Sequence, residues 1–329
     1  MLSRSVGLLL CLVALMGFAV LSIAVGARSV PLSTVFEALW SSDGSYDALV
    51  VAQQRVPRTV LGILVGAALG LAGALMQALT RNPLADPGLL GVNSGAAAAV
   101  VSAISFLGLT SPLEYVWFAF GGAAAAALVV YGLGSSGRAG GPVRLALAGT
   151  AISAVLVAYT FAVQLVDDKA LDQFRFWIVG GLAGRDLDVL VRVGPMLVLG
   201  LVVGLLLARP LNVIALGDET GRALGASLGT VRLSAAASIT LLCGAATAAA
   251  GPFSFIGLTV PHIARSLVGA DQRWVLPFSA VLAPCLLLGA DVVGRVVLPP
   301  SELEAGLVTA FLGAPVFIAL VRGRKVAQL

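Results

Sequence analysis

The chain has 329 residues, of which 59% are hydrophobic and only 11% are charged, and its formal net charge at pH 7 is +4. A soluble domain of this length would contain about 25% charged residues, so the composition excludes an ordinary soluble protein and favours an integral membrane protein. So small a net charge on so apolar a chain does not indicate nucleic-acid binding, and one histidine with three scattered cysteines predicts no metal site.

Apolar runs of about 20 residues, the length at which an α-helix crosses a bilayer, recur along the whole sequence. They predict an all-α integral membrane protein with about ten transmembrane helices, in a single domain over residues 1–329. The spans are expected near residues 6–26, 57–79, 89–109, 114–134, 144–165, 188–208, 231–250, 254–268, 275–297 and 304–321. The first run could instead be a signal peptide, but its near-bilayer length favours a retained helix. The eighth is short and contains Pro261, so this helix could be kinked or broken.

Small residues recur at helical spacing in several spans. In the second span Gly62, Gly66 and Gly70 are four residues apart, and a similar stripe begins at Gly91 in the third. Small side chains at this spacing let membrane helices cross closely. We therefore interpret the stripes as packing surfaces and not as a binding site.

The distribution of Lys and Arg favours one orientation. An even number of spans places both termini on the same side of the membrane. With the termini in the cytoplasm, twelve of the 20 Lys and Arg residues lie inside and eight outside. Basic residues concentrate on the cytoplasmic side of membrane proteins. We expect a multi-pass membrane protein with both termini cytoplasmic.

The deep parts of the spans contain almost no ionisable residues. No Asp, Glu, Lys or Arg occurs within residues 59–80, 89–113 or 233–262, and the nearest exception is the pair Asp291 and Arg295, one turn apart near the outer end of a span. Proton-coupled transporters place such groups at mid-membrane, so proton coupling is disfavoured, although Na⁺ sites built from carbonyls and hydroxyls stay open.

The sequence also contains no nucleotide-binding loop of the form G-x-x-x-x-G-K-[ST] and no Ser/His/Asp or Cys/His arrangement for catalysis. The chain is therefore not expected to be an enzyme or to bind ATP in that way itself. If it transports a solute uphill, another subunit should supply the energy.

Four segments carry further signals: residues 55–58, 77–88, 210–225 and 251–273. In the second, Asn82-Pro83 and Asp86-Pro87 predict a tight reversal between two spans.

The third segment belongs to a cytoplasmic loop, about residues 209–229, that is expected to form two short helices. Asn212 could cap the first and Gly217 end it, and Asp218 could cap the second and Gly225 end it. Apolar residues of this loop, namely Leu216, Ala223 and Leu224, would form an exposed patch. Such a patch indicates docking onto a partner, with an ordinary ordered connection as the alternative.

Taken together, these segments resemble the FecCD-like permeases of ABC importers for ferric siderophores, heme and vitamin B12, over about residues 30–322. The similarity is carried by RVPRTVLGILVGAALGLAGALMQALTRNPLADPGLLGVNSGA, FWIVGGL, LGDETGRALG, GPFSFIGLTVPHIAR and GLVTAFLGAPVFIALV, in this order. One departure is Glu302-Leu303-Glu304, where the family commonly has Glu-Leu-Pro. His262 matches the family's Pro-His pair and, alone in an apolar span, is interpreted as structural.

The resemblance implies a type II ABC importer permease fold and several partners. These are a second permease subunit, identical or paralogous, two ATPase subunits that bind ATP and Mg, an extracytoplasmic binding protein that delivers the substrate, and the membrane lipid. It implies no cofactor in the chain itself and a ferric siderophore, heme or cobalamin as cargo. An ion-coupled secondary transporter, or a membrane scaffold or receptor without transport, would be the alternatives.

The resemblance also assigns residues. Contact with the ATPase is implied for a set in the cytoplasmic loop, consisting of Leu216, Gly217, Asp218, Glu219, Arg222, Leu224 and Gly225. Docking of carboxylates on the binding protein is implied for Arg55, Arg58 and Arg295, as exposed arginines; for the first two, insertion among lipid headgroups is the alternative. The substrate path is expected along the fifth span, with an inner gate just before it at Pro142, Val143 and Arg144.

Overall fold

The structure is a computed structural model that describes residues 3–26, 45–135, 142–185, 187–223, 225, 227–298 and 301–323. These residues form helices joined by short connections, and none of them lies in a strand. The helices are α1 (Arg4–Ala24), α2 (Tyr46–Thr80), α3 (Val92–Leu107), α4 (Pro112–Ser135), α5 (Pro142–Val166), α6 (Asp168–Val179), α7 (Leu187–Leu206), α8 (Ala208–Ala215), α9 (Asp218–Ala223), α10 (Leu228–Ala250), α11 (Ile256–Val268), α12 (Gln272–Val297) and α13 (Ala305–Gly323).

Each of the ten predicted spans corresponds to one of these helices, and the all-α prediction is confirmed. Among the described residues, seven helices are long and apolar enough to cross a membrane, and three shorter apolar helices, Val92–Leu107, Ile256–Val268 and Ala305–Ala319, account for the other spans. The break considered at Pro261 is absent, because α11 continues through this proline. The helical path is interrupted earlier, at residues 251–255.

The sequence did not predict α6 or the first turns of α2. α6 contains Asp168, Lys169, Asp172 and Arg175, and it buries only Ala170, Phe174 and Trp177. A search for long apolar runs misses such a helix, because its hydrophobic residues occupy a single face. The first turns of α2 precede the long apolar run and include a π-helical turn at Val51–Arg55.

The second helix lies at the centre of the bundle. Within its most apolar window 83% of the residues are buried, against 11% for α1 and 17% for α5. The exposed residues of α1 and α5 are mostly Leu, Val and Phe. Apolar exposure on this scale indicates contact with lipid or with another protein.

The glycine stripe of α2 is a packing surface, as predicted, and the helix that packs against it is α12. A Cβ atom at Gly66 would lie 2.6 Å from Pro284 Cα, and one at Gly70 would overlap the carbonyl oxygen of Ser279. Backbone contact this close leaves no room for a side chain. The stripe therefore sets the distance between the two helices.

Candidate functional site

Ion pairs gather at the two ends of the bundle. Arg58, in the second helix, pairs with Asp291 and Glu302, whereas Arg81, just beyond the other end of that helix, pairs with Asp218. We call the first group the arginine end and the second the loop end. From the sequence, the residues of the arginine end are expected on the outer side of the membrane and those of the loop end in the cytoplasm.

The loop end contains the predicted pair of short helices, α8 and α9. α8 buries Leu211 and Ile214 against the bundle. The exposed Leu216 follows, and Gly217 then reverses the chain with a φ of 104°. The loop is therefore an ordered structure that is fastened by one apolar face.

The predicted capping role of Asn212 is wrong. α8 begins at Ala208, because Pro210 is tolerated in a first helical turn, and so Asn212 lies inside the helix. Its side chain instead donates to Asp271 Oδ1 at 2.7 Å and accepts from the backbone N–H of Gln272 at 2.9 Å. These two contacts fasten α8 to the first turn of α12, which the sequence alone does not reveal because 60 residues separate them.

The predicted capping role of Asp218 is also wrong, because its side chain is the centre of an ion-pair triad. It is the first residue of α9, and its carboxylate pairs with Arg232 of α10 at 2.7 Å and with Arg81. The hydrogen bond from Arg232, together with one from Arg81, lowers the pKa of the Asp218 carboxyl below its ordinary value. The carboxylate is thus ionised at neutral pH and ties α9 to two membrane helices.

The other residues predicted to contact an ATPase differ in exposure. Among them Leu216, Glu219, Arg222 and Gly225 are exposed, as is the neighbouring Ala223. Leu224 lies outside the described residues. The exposed surface is thus available to a partner, and the contact itself stays a prediction.

Replacing Asp218 with alanine should loosen the loop, because Arg81 and Arg232 lose their common partner. The three side chains are about one-third exposed, so we expect a cost of roughly 1 kcal/mol and a several-fold rise in opening of residues 208–223. Amide hydrogen exchange would measure this opening. Glu219→Ala is the matched control, since Glu219 is exposed and forms no ion pair with any described residue. Equal exchange in the two variants would contradict the tether.

At the arginine end, Asp291 is a buried carboxylate shared by two arginines. Arg58 Nη2 lies 2.7 Å from Asp291 Oδ1, and Arg295 Nη2 lies 2.5 Å from Asp291 Oδ2. The other terminal nitrogen of the Arg58 guanidinium, Nη1, lies 2.8 Å from Glu302 Oε2. Asp291 is 1% exposed, and its ion pairs with the two arginines balance its charge, which speaks against its acting as a mobile proton carrier.

Two arginines cap the carboxyl end of α1. Arg295 Nη1 donates to the carbonyls of Ser22 and Val25, and Arg55 Nη1 donates to those of Ile23 and Ala24, at 2.8–2.9 Å. The last carbonyls of a helix have no intrahelical partner, and the helix dipole favours a cation there. Both guanidinium groups therefore stabilise the position of α1.

The expectation that all three arginines are exposed is wrong. Arg55 and Arg295 are 7% and 2% exposed, and the side chain of Arg58 is 14% exposed. Sequence alone could not show this, because the α1 carbonyls are distant in the chain from Arg55 and Arg295, and Asp291 is distant from Arg58. Docking of a binding protein stays a prediction, and it would require an incoming carboxylate to displace a contact such as that of Glu302 with Arg58.

The segment 77–88 forms the predicted reversal. Arg81 ends α2 in a left-handed conformation with φ 51°, and Asp86 Oδ1 accepts from the N–H of Gly88 at 2.8 Å. The side-chain oxygen of Gln77 accepts a hydrogen bond from Arg265 Nη2, and its amide nitrogen donates to the carbonyl of Leu258 at 3.1 Å. The sequence did not predict these partners. This pairing accounts for an arginine near the end of an apolar helix.

The residues predicted as an inner gate form the first turn of α5. Val143 and Arg144 are exposed there. Their position at a helix terminus agrees with the expectation from sequence, and a gating role stays a prediction.

Two cavities flank α5. One, of about 570 Å³, lies between α3, α4 and α5 and is apolar apart from Ser102 and Tyr159. The other, of about 560 Å³, is lined by Asn93, Ser94, Ser153 and Ser254 among small and apolar residues. In the described part of the chain no group of three or more His, Cys, Asp or Glu residues could hold a metal ion. The second cavity thus offers neutral polar groups to a solute.

Comparisons with known proteins agree with this architecture. The chain matches the FecCD transport family over residues 12–323. It is 50% identical over 306 residues to the ferric enterobactin transport system permease protein FepD of Escherichia coli, covering 92% of this chain and 90% of that protein. It is 39% identical over 297 residues to the hemin transport system permease protein HmuU of Yersinia pestis, covering 88% of each.

A solved structure shares the fold. An inward-facing conformation of a metal-chelate type ABC transporter superposes with a TM-score of 0.86 at 27% identity, covering 96% of this chain and 99% of the other. The sequence resemblance, the helical bundle and these relatives agree, and the chain belongs to the FecCD transport family.

Proposed function

We propose that this chain is the membrane-spanning permease subunit of an ATP-driven ABC importer, with a ferric siderophore or a similar iron chelate as its cargo. The observation that carries the proposal is the match to the FecCD transport family across almost the whole chain. The relatives described above are named for ferric enterobactin and hemin, and a third, 41% identical, is the Fe(3+)-citrate import system permease protein YfmD of Bacillus subtilis. These names favour an iron chelate over cobalamin.

The energy source in this proposal lies outside the chain. The sequence has no nucleotide-binding loop, so two ATPase subunits would bind ATP and Mg, and a second permease subunit would complete the membrane part. An extracytoplasmic binding protein would deliver the chelate. The exposed positions of Leu216, Glu219, Arg222 and Gly225 support a contact with the ATPase. The distribution of Lys and Arg supports cytoplasmic termini.

The contacts of α12 suggest how an ATPase movement would reach the far side. Asp271 at its amino end is held by Asn212 of the loop, while Asp291 near its carboxyl end belongs to the arginine end. A helix of 26 residues is about 39 Å long at 1.5 Å per residue. Displacement of α8 would therefore be transmitted to the outer side along one continuous helix, in which Pro277 and Pro284 are the positions where it could bend.

Reconstituted complexes test this function. In proteoliposomes that contain the permease, its ATPase and its binding protein, uptake of iron-55 ferric enterobactin, ferric citrate or hemin should require ATP. It should stop with an ATPase variant that binds but does not hydrolyse the nucleotide, and it should persist when ionophores collapse ion gradients. Uptake that follows an ion gradient and ignores ATP would instead identify a secondary transporter. Isolation of the permease without any ATPase would favour a scaffold or receptor.

A further inference from the structure

The segment between α10 and α11, which the proposed function does not explain, interrupts the helical bundle. Residues 251–255 are not helical, although apolar helices precede and follow them. Phe255, the last of them, has a φ of 67°, a left-handed conformation that is uncommon for a residue with a side chain. Strained backbone of this kind is concentrated at functional sites, where the surrounding structure enforces it.

Contacts with neighbouring elements fix the position of the upper end of this segment. The carbonyl of Ala250 accepts a hydrogen bond of 2.8 Å from the N–H of Gly181. The next residue, Leu182, lies against Gly62, since its Cδ1 atom is 3.0 Å from where a Cβ of that glycine would be. The segment therefore starts beside the part of α2 around Gly62.

The lower end lies deeper along the same helix. Gly257, in the first turn of α11, lies against Gly73 of α2. A Cβ atom added at Gly73 would overlap the carbonyl group of Gly257. The eleven residues from Gly62 to Gly73 correspond to a rise of about 16 Å along α2. Both levels lie within residues 59–80 of α2, which carry no charged side chain, so the chain passes through residues 251–255 without helical structure inside the apolar bundle.

Much of this backbone has no hydrogen-bond partner in the part of the chain that the structure describes. Within the described residues, no intrachain hydrogen bond involves the N–H groups of Phe253, Ser254 and Phe255 or the carbonyls of Gly251, Pro252 and Phe253. Unpaired peptide groups are strongly unfavourable in hydrocarbon. Non-helical backbone at membrane depth is therefore found where it is buried in protein or lines a water-filled cavity.

The polar cavity borders this segment. Pro252 and Ser254 line it on one side, and Asn93, Ser94 and Ser153 line it from α3 and α5. The hydroxyl groups of Ser94 and Ser153 lie 3.1 Å apart and form a polar bridge between α3 and α5. Among the described residues that line the cavity, none is ionisable. A solute would therefore be met by peptide dipoles, hydroxyls and one amide.

We propose that residues 251–255, with Asn93, Ser94 and Ser153, form a hydrated solute-contact site in the transport path. The site deepens the proposed function and rests on it for the identity of the solute. Its chemistry fits a bulky chelate whose outer surface carries amide, carbonyl and hydroxyl groups. Such groups can replace water on the unpaired backbone, and neutral contacts are weak enough to release the solute again.

Cysteine accessibility in the assembled importer tests the hydration. In a background in which Cys11, Cys243 and Cys285 are replaced by alanine and uptake is retained, Ser254→Cys and Ser153→Cys would be exposed to a charged, membrane-impermeant methanethiosulfonate reagent. Because the thiolate is the reactive form and requires water, we expect both to react at least about tenfold faster than Val13→Cys. Val13 is 62% exposed on α1 and would face lipid. Reaction rates equal to that of the control would overturn the proposal.

Filling the cavity tests the solute contact without the cysteine background. Ser254→Trp should reduce uptake of ferric enterobactin at least about tenfold while complex assembly and ATP hydrolysis are retained, because the indole would occupy the space of the solute. Val13→Trp should leave uptake unchanged. Full uptake by Ser254→Trp would refute the site. If uptake requires ATP but the cysteines at positions 153 and 254 do not react faster than the control, the hydrated site is refuted and the proposed importer function stands. If these cysteines react rapidly but uptake does not require ATP, the importer function is refuted and the hydrated site stands.

Discussion

Replacing Asp291 with alanine is expected to lower the free energy of unfolding by about 3–5 kcal/mol and to remove most of the folded protein from the membrane. The reason is that Arg58 and Arg295 would keep their charges in a buried place and lose the carboxylate between them. Removal of one partner of a buried ion pair is far more damaging than removal of both. Thermal unfolding in detergent, with the yield of monodisperse protein, would measure the loss.

Two variants make this prediction specific. Asp172→Ala removes an ion pair with Arg175 on exposed α6, where both side chains are at least 60% exposed, and it should change stability little. The double variant Asp291→Leu with Arg295→Met removes the buried charges together and should recover part of the loss, while Glu302 still pairs with Arg58. Equal stability of Asp291→Ala and Asp172→Ala would show that the arginine end is not a structural network.

Replacing Gly70 with leucine is expected to separate α2 from α12 and to destabilise the bundle. An added Cβ would already overlap the Ser279 carbonyl oxygen and crowd the Ala283 methyl group. Overpacking of a core typically costs about 1–3 kcal/mol, and here the larger value is expected because the obstacle is backbone, which cannot rotate away. The same unfolding measurement would report it.

Gly17→Leu is the matched control for this substitution. Gly17 lies on α1, and a Cβ there would meet nothing within 4 Å in the described structure. Leucine also has a higher helix propensity than glycine, so stability should be kept or slightly raised. If both variants were equally stable, the interpretation of the glycine stripe as a fixed helix crossing would be refuted.

At the two ends of the bundle, the local structure could be predicted from the sequence, but the contacts of the polar side chains could not. The loop 209–229 could be predicted as two short helices, because the glycines Gly217 and Gly225 mark local boundaries. The roles of Asn212 and Asp218 could not, because their partners are Asp271, Arg81 and Arg232, which are brought close only by packing. Likewise, an arginine beside Pro57 gives the same local signal whether its guanidinium is free or buried.

The sequence by itself determined the membrane class, the number and approximate limits of the spans, the glycine-packed crossing of α2 and the family. The first three depend on hydrophobicity and spacing within one segment, which a bilayer and helical periodicity convert directly into structure, whereas the family depends on five motifs in a fixed order. Only the tertiary structure decided that Arg55 and Arg295 cap α1, that α12 joins the two polar ends, and that unpaired backbone at residues 251–255 borders a polar cavity. These features depend on groups that lie far apart in the chain, so no local pattern records them.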